Sequence, residues 1–271
     1  MGLFGKSIEP EYEWKFYDKT DLKTNWEVPN LIDSLEINFY FLSRPVEKPE
    51  QLVPEKYAIN NAVHVFLDQK IVEAVLKDVN SKQEIQYTFY KTQMSNFLED
   101  ILNNKFDAVI IYGMTDVTGK TIAGHKIIGK EIVEEYSDVI KIHNILRNTR
   151  VGAFDRVTAY QKIKDYPLYL NCNKELLNIQ PDENGKITIP SGAKFKANPN
   201  STSIPIFYDT IELTDDDGKV HTPIRAYISE YSAMRFSGEK EDLISISLAK
   251  IKEKVTSEVI IEPHRNWWIV F

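Results

Sequence analysis

The stretch from Gly113 to Thr121 has the composition of a phosphate-binding loop. It follows an apolar run and ends in Gly-Lys-Thr, and the backbone amides of such loops cradle phosphates in nucleotide-binding proteins. That motif has one residue fewer between its two glycines than this sequence has between Gly113 and Gly119. No helical pattern begins at Lys120, so no helix dipole would hold a phosphate. We therefore interpret the stretch as a plain loop and expect no cofactor.

Metal-binding and nucleophilic residues form no recognisable motif either. The acidic run Asp215–Gly218 lacks the alternating ligands of a calcium loop and has Ile224 where that loop needs glutamate, so we interpret it as a hairpin tip. Cys172 is the single cysteine and has no base beside it in the sequence. No two histidines have the i, i+4 spacing of a zinc helix: His64, His125, His143, His221 and His264. We expect no metal and assign no catalytic residue.

The C-terminal segment Pro263–Trp268 has the most unusual composition of the chain. If it forms a strand, Trp267 and Trp268 point to opposite faces. One tryptophan would then lie in the core and the other near the surface with His264 and Arg265. Exposed tryptophan beside arginine is typical of interface hot spots. These four residues are therefore the candidate interaction site, and the alternative is that other elements cover both tryptophans.

Composition restricts the classes of function. The chain has 271 residues, a net charge of -7 and a pI of about 5.4, which disfavours nucleic acid as a partner. One cysteine allows no intramolecular disulfide, and this favours a reducing compartment. No apolar stretch has the length of a signal peptide or a membrane span. We expect a cytoplasmic protein without membrane insertion, whose partner is another protein or a small ligand.

Hydrophobic periodicity predicts mixed helices and strands in the N-terminal half. The predicted strands are Leu35–Leu42, Ala62–Leu67, Glu84–Tyr90 and Phe106–Tyr112, and the predicted helices begin at Asp68, Thr92 and Glu131. Residues 84–112 then form a β-α-β unit with parallel strands. Aromatic residues before position 30 predict an extension that packs on this half.

The C-terminal half is predicted to be richer in strands, with a domain boundary near residue 155. Asn184-Gly185 favours a hairpin turn, and Lys240–Lys254 has the spacing of an amphipathic helix. Further strands are predicted at Pro167–Leu170, Ser203–Tyr208, Glu258–Glu262 and Asn266–Phe271. We predict an α+β or α/β protein of two mixed-sheet units, residues 1–155 and 156–271.

The two halves share a short pattern that suggests a degenerate duplication. Phe-Tyr-x-Thr occurs at residues 89–92 and again at residues 207–210. An apolar strand follows each copy, at Asp107–Tyr112 and at Glu258–Ile261.

The second half also resembles the bacterial SseB-like family, named for enhanced serine sensitivity. The resemblance rests on Ile204–Thr210 and on Ile260–Asn266, which are similar to the first and closing elements of the family's repeat. Glu262 stands where the family usually has asparagine, and the polar insertion Thr214–Thr222 interrupts the step from strand to helix. The resemblance implies a small α/β domain, duplicated in some members, and it supplies no catalytic residue.

Two classes of function remain open from the sequence. The first is a non-enzymatic module that binds a protein or a ligand, as the SseB-like resemblance implies. The second is a hydrolase-type enzyme whose site is assembled from residues dispersed along the chain. A cleft with convergent carboxylates would favour the enzyme, and an apolar surface patch would favour the module.

Overall fold

Helices and strands alternate along the chain, as the hydrophobic pattern predicts. A computed structural model describes residues 27–46, 56–57, 61–113, 125–172, 208–215, 217–237 and 243–271. The elements up to residue 150 are α1 (Glu27–Ser34), β1 (Asn38–Ser43), β2 (Lys56–Tyr57), β3 (Ala62–Phe66), α2 (Gln69–Lys82), β4 (Thr88–Gln93), α3 (Met94–Leu102), β5 (Ala108–Tyr112), β6 (His125–Gly129), α4 (Lys130–Glu135) and α5 (Ser137–Arg150). They are followed by α6 (Arg156–Ile163), β7 (Pro167–Asn171), β8 (Leu213–Thr214), β9 (Val220–His221), β10 (Ile224–Ala226), α7 (Glu230–Ser237), β11 (Leu243–Ser247), α8 (Leu248–Lys254), β12 (Val259–Ile261) and β13 (Ile269–Val270).

The chain divides into two units between Lys141 and Ile142, inside α5. The sequence places the boundary later, at residue 155, in the turn after this helix. The structural division lies earlier because the second half of α5 packs within the C-terminal unit, where the ring of His143 contacts Trp267. Each unit contains helices and a mixed sheet, so the predicted fold class is confirmed.

The N-terminal unit is built on a sheet with the strand order β4-β1-β3-β5-β6. The central strands β3 and β5 are parallel, and the other neighbours on this path are antiparallel. Both central strands are rich in buried β-branched residues, which suit a strand covered on two faces. Helix α2 begins at its cap Asp68, whose side chain accepts from the N–H of Lys70 at 2.7 Å. It covers one face through Val72, which packs with Leu42 and Phe66.

The C-terminal unit has a three-stranded sheet with the order β10-β12-β13 and a strand pair, β11-β7, beside it. Strands β10 and β12 are parallel, whereas β11 pairs with β7 and β12 pairs with β13 in antiparallel fashion. The link between β7 and β10 is one antiparallel residue pair, Tyr169 and Tyr227, which exchange two backbone hydrogen bonds of 2.8 Å. Helix α7 follows β10 and is capped by Ser229, whose hydroxyl accepts from the N–H of Ser232 at 3.0 Å.

Apart from the short strands β2, β8 and β9, the two units have the same topology. In each, a helix leads into the first strand, a second strand and its helix follow, and a third strand runs directly into another helix before the last two strands. Equivalent backbone bonds recur: the N–H of Ser95 donates to Leu35 O at 3.1 Å, and the N–H of Ala249 donates to Lys164 O at 2.9 Å. This shared order and pairing indicate an internal duplication.

The duplication aligns different residues from those that the sequence pattern suggests. β5 and β12 are equivalent, as the comparison of Asp107–Tyr112 with Glu258–Ile261 implies. The Phe-Tyr-x-Thr match is wrong, because residues 89–92 lie in β4, whose structural equivalent is β11. Tyr208 and Thr210 instead form bridges with Cys172 and Ile224.

One of two further local predictions is wrong. The segment Lys240–Lys254 is not one helix, because Leu243–Ser247 pairs with β7 as strand β11 and only then does α8 begin. Residues 84–112 form the predicted β-α-β succession of β4, α3 and β5, in which β4 and β5 are parallel strands of one sheet with β1 and β3 between them.

Several predicted features fall on other parts of the chain. The aromatic residues before position 27, most of the near phosphate loop, the Asn184-Gly185 turn and residues 203–207 lie outside the described residues. None of the helices in the described ranges is long and apolar enough to cross a membrane.

Candidate functional site

The turn from β12 to β13 lies at the carboxyl end of a parallel strand pair. Open α/β sheets commonly bind ligands outside such strand ends. Glu262 leaves β12 with a φ of 55°, a left-handed conformation that turns the chain, and its N–H still donates to Ala226 O at 2.8 Å. The candidate residues His264, Arg265, Trp267 and Trp268 all follow in this segment, here called the tryptophan turn (Glu262–Trp268).

Arg265 is buried, which corrects the expectation that it lies near the surface. It is 2% exposed, and Glu262 is 0% exposed. The Arg265 Nε lies 3.6 Å from a carboxylate oxygen of Glu262, and the other oxygen accepts from the N–H of Ile228 at 2.9 Å. Burial lowers the pKa of Arg265 to about 10, so the guanidinium remains charged at neutral pH. The pair holds the turn against the start of α7.

His264 is half-buried in a stack of aromatic rings beneath α7. Its ring lies 4.7 Å from that of Phe236 at an interplanar angle of 25°, and Tyr227 lies 6.4 Å away at 9°. Burial lowers the pKa of His264, and the charge of Arg225 lowers it further. The imidazole is therefore neutral at pH 7 and packs as an aromatic ring.

Trp267 is the core tryptophan of the pair. It is 4% exposed, and its ring meets the ring of His143 edge-on, with centroids 4.5 Å apart. Burial lowers the pKa of His143 to about 3, so this imidazole is neutral. Trp267 thus anchors the second half of α5 to the sheet.

Trp268, the next residue, lies against Arg150 at the end of α5. Its ring is half-buried, and the guanidinium of Arg150 lies 4.4 Å from the ring centroid. Stacking of arginine on tryptophan is a favourable cation–π geometry. One tryptophan is therefore core and the other is partly accessible beside an arginine, although that arginine is Arg150 and not Arg265.

The turn that follows Arg150 carries exposed apolar residues. Val151 is 73% exposed and Val157 is 72% exposed. The half-buried ring of Phe154 lies between them in the sequence, with the Lys162 Nζ 5.2 Å from its centroid. We call the segment Arg147–Lys164 the basic corner; it comprises the end of α5, the turn and α6.

Sequence reasoning missed the basic corner. The stretch Arg147–Arg150 suggests a boundary and nothing more, and the helical pattern of α6 is faint. The available signal was Asp155, which caps α6 by accepting from the N–H of Thr158 at 2.7 Å. A helix predicted there would have placed Val157 beside basic residues.

The equivalent sheet face of the N-terminal unit carries stacked rings of another kind. Tyr112 lies 5.4 Å from the ring of His64 and 5.6 Å from that of His125. Burial lowers the pKa of His64, and the nearby His125 lowers it further. The tyrosine ring separates the two imidazoles, and no group of three metal-ligating residues occurs among the described residues.

His221 links two carboxylates in the C-terminal unit. Its Nε2 lies 3.0 Å from Asp215 and its Nδ1 lies 3.2 Å from Glu258. The hydrogen bond with Asp215 and the contacts with Glu258 raise the pKa of His221, whereas partial desolvation and Lys219 oppose the rise. The imidazolium form can donate from both ring nitrogens, so the protonated side chain joins the β8–β9 hairpin to the start of β12.

We expect stability of the C-terminal unit to fall as pH rises through the raised pKa of His221. The contribution is complete below the ordinary value of 6.5 and is lost above the folded-state value. Urea midpoints measured between about pH 6 and pH 9 should show this loss in the wild type and not in His221→Gln. Equal pH dependence in both proteins would contradict the assignment.

Comparisons with known proteins add little to this geometry. No protein-family model matches the chain, and no curated protein matches it. Among solved structures, Anabaena Tic22, described as a protein of protein transport, is similar over 83% of this chain and 84% of that chain. The identity is 7% and the TM-score is 0.23, and a likeness of this size carries no argument.

Proposed function

We propose that this chain is a non-enzymatic module that binds a protein partner through the basic corner and Trp268. The observation that carries the proposal is the half-buried Trp268 under Arg150, in the same region as Val151, which directly follows Arg150 and is 73% exposed. Tryptophan and arginine are enriched among the residues that contribute most to protein interfaces. Exposed apolar side chains beside them provide surface that a partner can bury.

The other candidate residues support this surface without belonging to it. Arg265 and Trp267 are buried, and they position the backbone from which Trp268 projects. His264 packs on Phe236 beneath α7. In this proposal Trp268 is therefore the residue of the tryptophan turn that meets the partner.

We also propose that the resemblance to the SseB-like family reflects real kinship and that the protein is bacterial and cytoplasmic. The shared topology of the two units supports the duplicated α/β domain that the resemblance implies. The left-handed φ of Glu262 supports it too, because asparagine adopts this conformation more readily than most residues. The single cysteine agrees with a reducing compartment.

Removing the apolar contacts should weaken partner binding. We expect Trp268→Ala to reduce affinity by roughly thirtyfold, because truncating a hot-spot residue costs about 2 kcal/mol or more. The double variant Val151→Ser/Val157→Ser should also weaken binding. Quantitative affinity capture with the tagged chain, followed by titration of the protein it enriches, measures both effects.

The matched control is Val220→Ser, which changes another exposed valine (59% exposed) of the same unit. It should enrich the same partner in the same amount as the wild type. Circular dichroism melting establishes that each variant is folded. If Trp268→Ala and the double variant retain the partner as well as Val220→Ser does, the proposed surface is wrong.

A further inference from the structure

We infer, resting on the proposed function, that the partner presents an acidic segment containing apolar residues to the basic corner. The inference concerns the chemistry of the partner. It stands on the distribution of charge, on ion pairing within the described residues and on the exposed valines.

Charge is distributed very unevenly along this chain. Residues 147–164 contain five basic residues and one acidic residue, a net charge of +4. Because the whole chain has a net charge of -7, the remaining residues carry -11. A local positive surface on an acidic protein attracts negative groups to one place and repels them elsewhere.

Four of the five basic residues of the corner have no carboxylate partner among the residues that the structure describes. Among the described residues, no ion pair with Asp or Glu involves Arg150, Arg156, Lys162 or Lys164. The one acidic residue of the segment, Asp155, is occupied as the cap of α6. Arg150 and Lys162 lie over aromatic rings, and such contacts leave the cation able to pair with an anion.

The apolar content of the corner selects among negatively charged partners. Two valines more than 70% exposed offer contacts that a phosphate backbone cannot use. Surfaces that insert into bilayers expose large groups such as tryptophan, phenylalanine and leucine, whereas Trp268 and Phe154 are half-buried here and the most exposed apolar side chains are short valines. An acidic peptide segment with interspersed leucines can pair with the basic side chains and pack on the exposed valines.

The test uses the full chain and a defined probe, a fluorescein-labelled peptide in which glutamates flank a pair of leucines. We expect saturable binding that weakens as salt rises, because the charges are at the surface. The charge reversal Arg156→Glu/Lys162→Glu should weaken binding by at least about tenfold. The matched control Lys250→Glu/Lys254→Glu changes net charge equally at two exposed lysines of α8 and should bind as the wild type does.

Three further probes decide the partner class: the same peptide with glutamine for glutamate, phosphatidylserine vesicles and duplex DNA. The inference is supported if the acidic peptide binds most tightly and is overturned if vesicles or DNA bind more tightly. It is also overturned if the glutamine peptide binds equally or if wild type binds no acidic peptide. None of these results bears on the effects of Trp268→Ala and Val151→Ser/Val157→Ser on partner capture. The inference of an acidic partner can therefore fail while the proposed function holds, and the reverse.

Discussion

Replacing Trp267 with alanine should destabilise the C-terminal unit by about 3–5 kcal/mol, the range for truncating a buried aromatic residue. The side chain is 4% exposed and packs edge-on against the ring of His143. Its loss opens a cavity between α5 and the sheet, and such a loss is a large share of the roughly 5–15 kcal/mol that stabilises a typical domain. Urea unfolding followed by far-ultraviolet circular dichroism measures the change.

Trp268→Ala is the matched control for this prediction. The neighbouring ring is half-buried, so we expect less than half of the loss seen for Trp267→Ala. Phe97→Ala, a core truncation in the N-terminal unit (1% exposed), identifies the unfolding transition of that unit. Equal losses for the two tryptophans would contradict their assignment to core and surface.

Arg265→Met should cost about 3–5 kcal/mol, because it leaves the carboxylate of Glu262 buried without its cation. Glu262 is 0% exposed, so water cannot replace the guanidinium. The double variant Glu262→Gln/Arg265→Met should recover most of the loss, since glutamine is neutral and still accepts from the N–H of Ile228. A double-mutant cycle in urea measures the coupling.

A different result would show that the pair is not coupled. If Arg265→Met is nearly neutral, or if the losses of the two single variants simply add in the double variant, the buried pair does not hold the tryptophan turn. Lys91→Met, which removes an exposed cation of the N-terminal unit, should change stability by less than about 0.5 kcal/mol.

The central parallel strands could be predicted because they consist almost entirely of apolar residues. The runs around Val63 and Val109 are continuous and apolar, and the capping of α2 follows from Asp68. The order of strands in each sheet could not be predicted, since pairing joins residues far apart in the sequence. The sequence suggests the duplication, but the equivalence of β4 with β11 became visible only through that pairing.

The error at Lys240–Lys254 has a physical cause. Strand β11 runs into α8 without a loop, so a single window contains residues of both elements. The alternation in Leu243–Ser247 and the cap Ser247, whose hydroxyl accepts from the N–H of Lys250 at 3.4 Å, were the signals for two elements. The prediction of one helix instead followed the helical spacing of the aliphatic residues across the whole segment.

Part of the candidate site could be predicted from the sequence. Composition identifies the tryptophan turn. The prediction of one core and one surface tryptophan assumed a strand over Asn266–Phe271, whereas both residues precede β13 and lie in the turn. The burial of Arg265 could not be foreseen, because it depends on Glu262 turning inward with a left-handed φ. Arg150 could not be foreseen as the partner of Trp268, since the two residues are distant in sequence.

A photo-crosslinking side chain placed at position 157 tests whether the basic corner binds a protein. We expect a discrete crosslinked adduct with one protein, and the amount of that adduct should fall when Trp268→Ala is added. The same group at position 220, an exposed control site, should give no such adduct. Equal adducts at both positions, or none at position 157, would contradict the claim that the basic corner binds a protein partner.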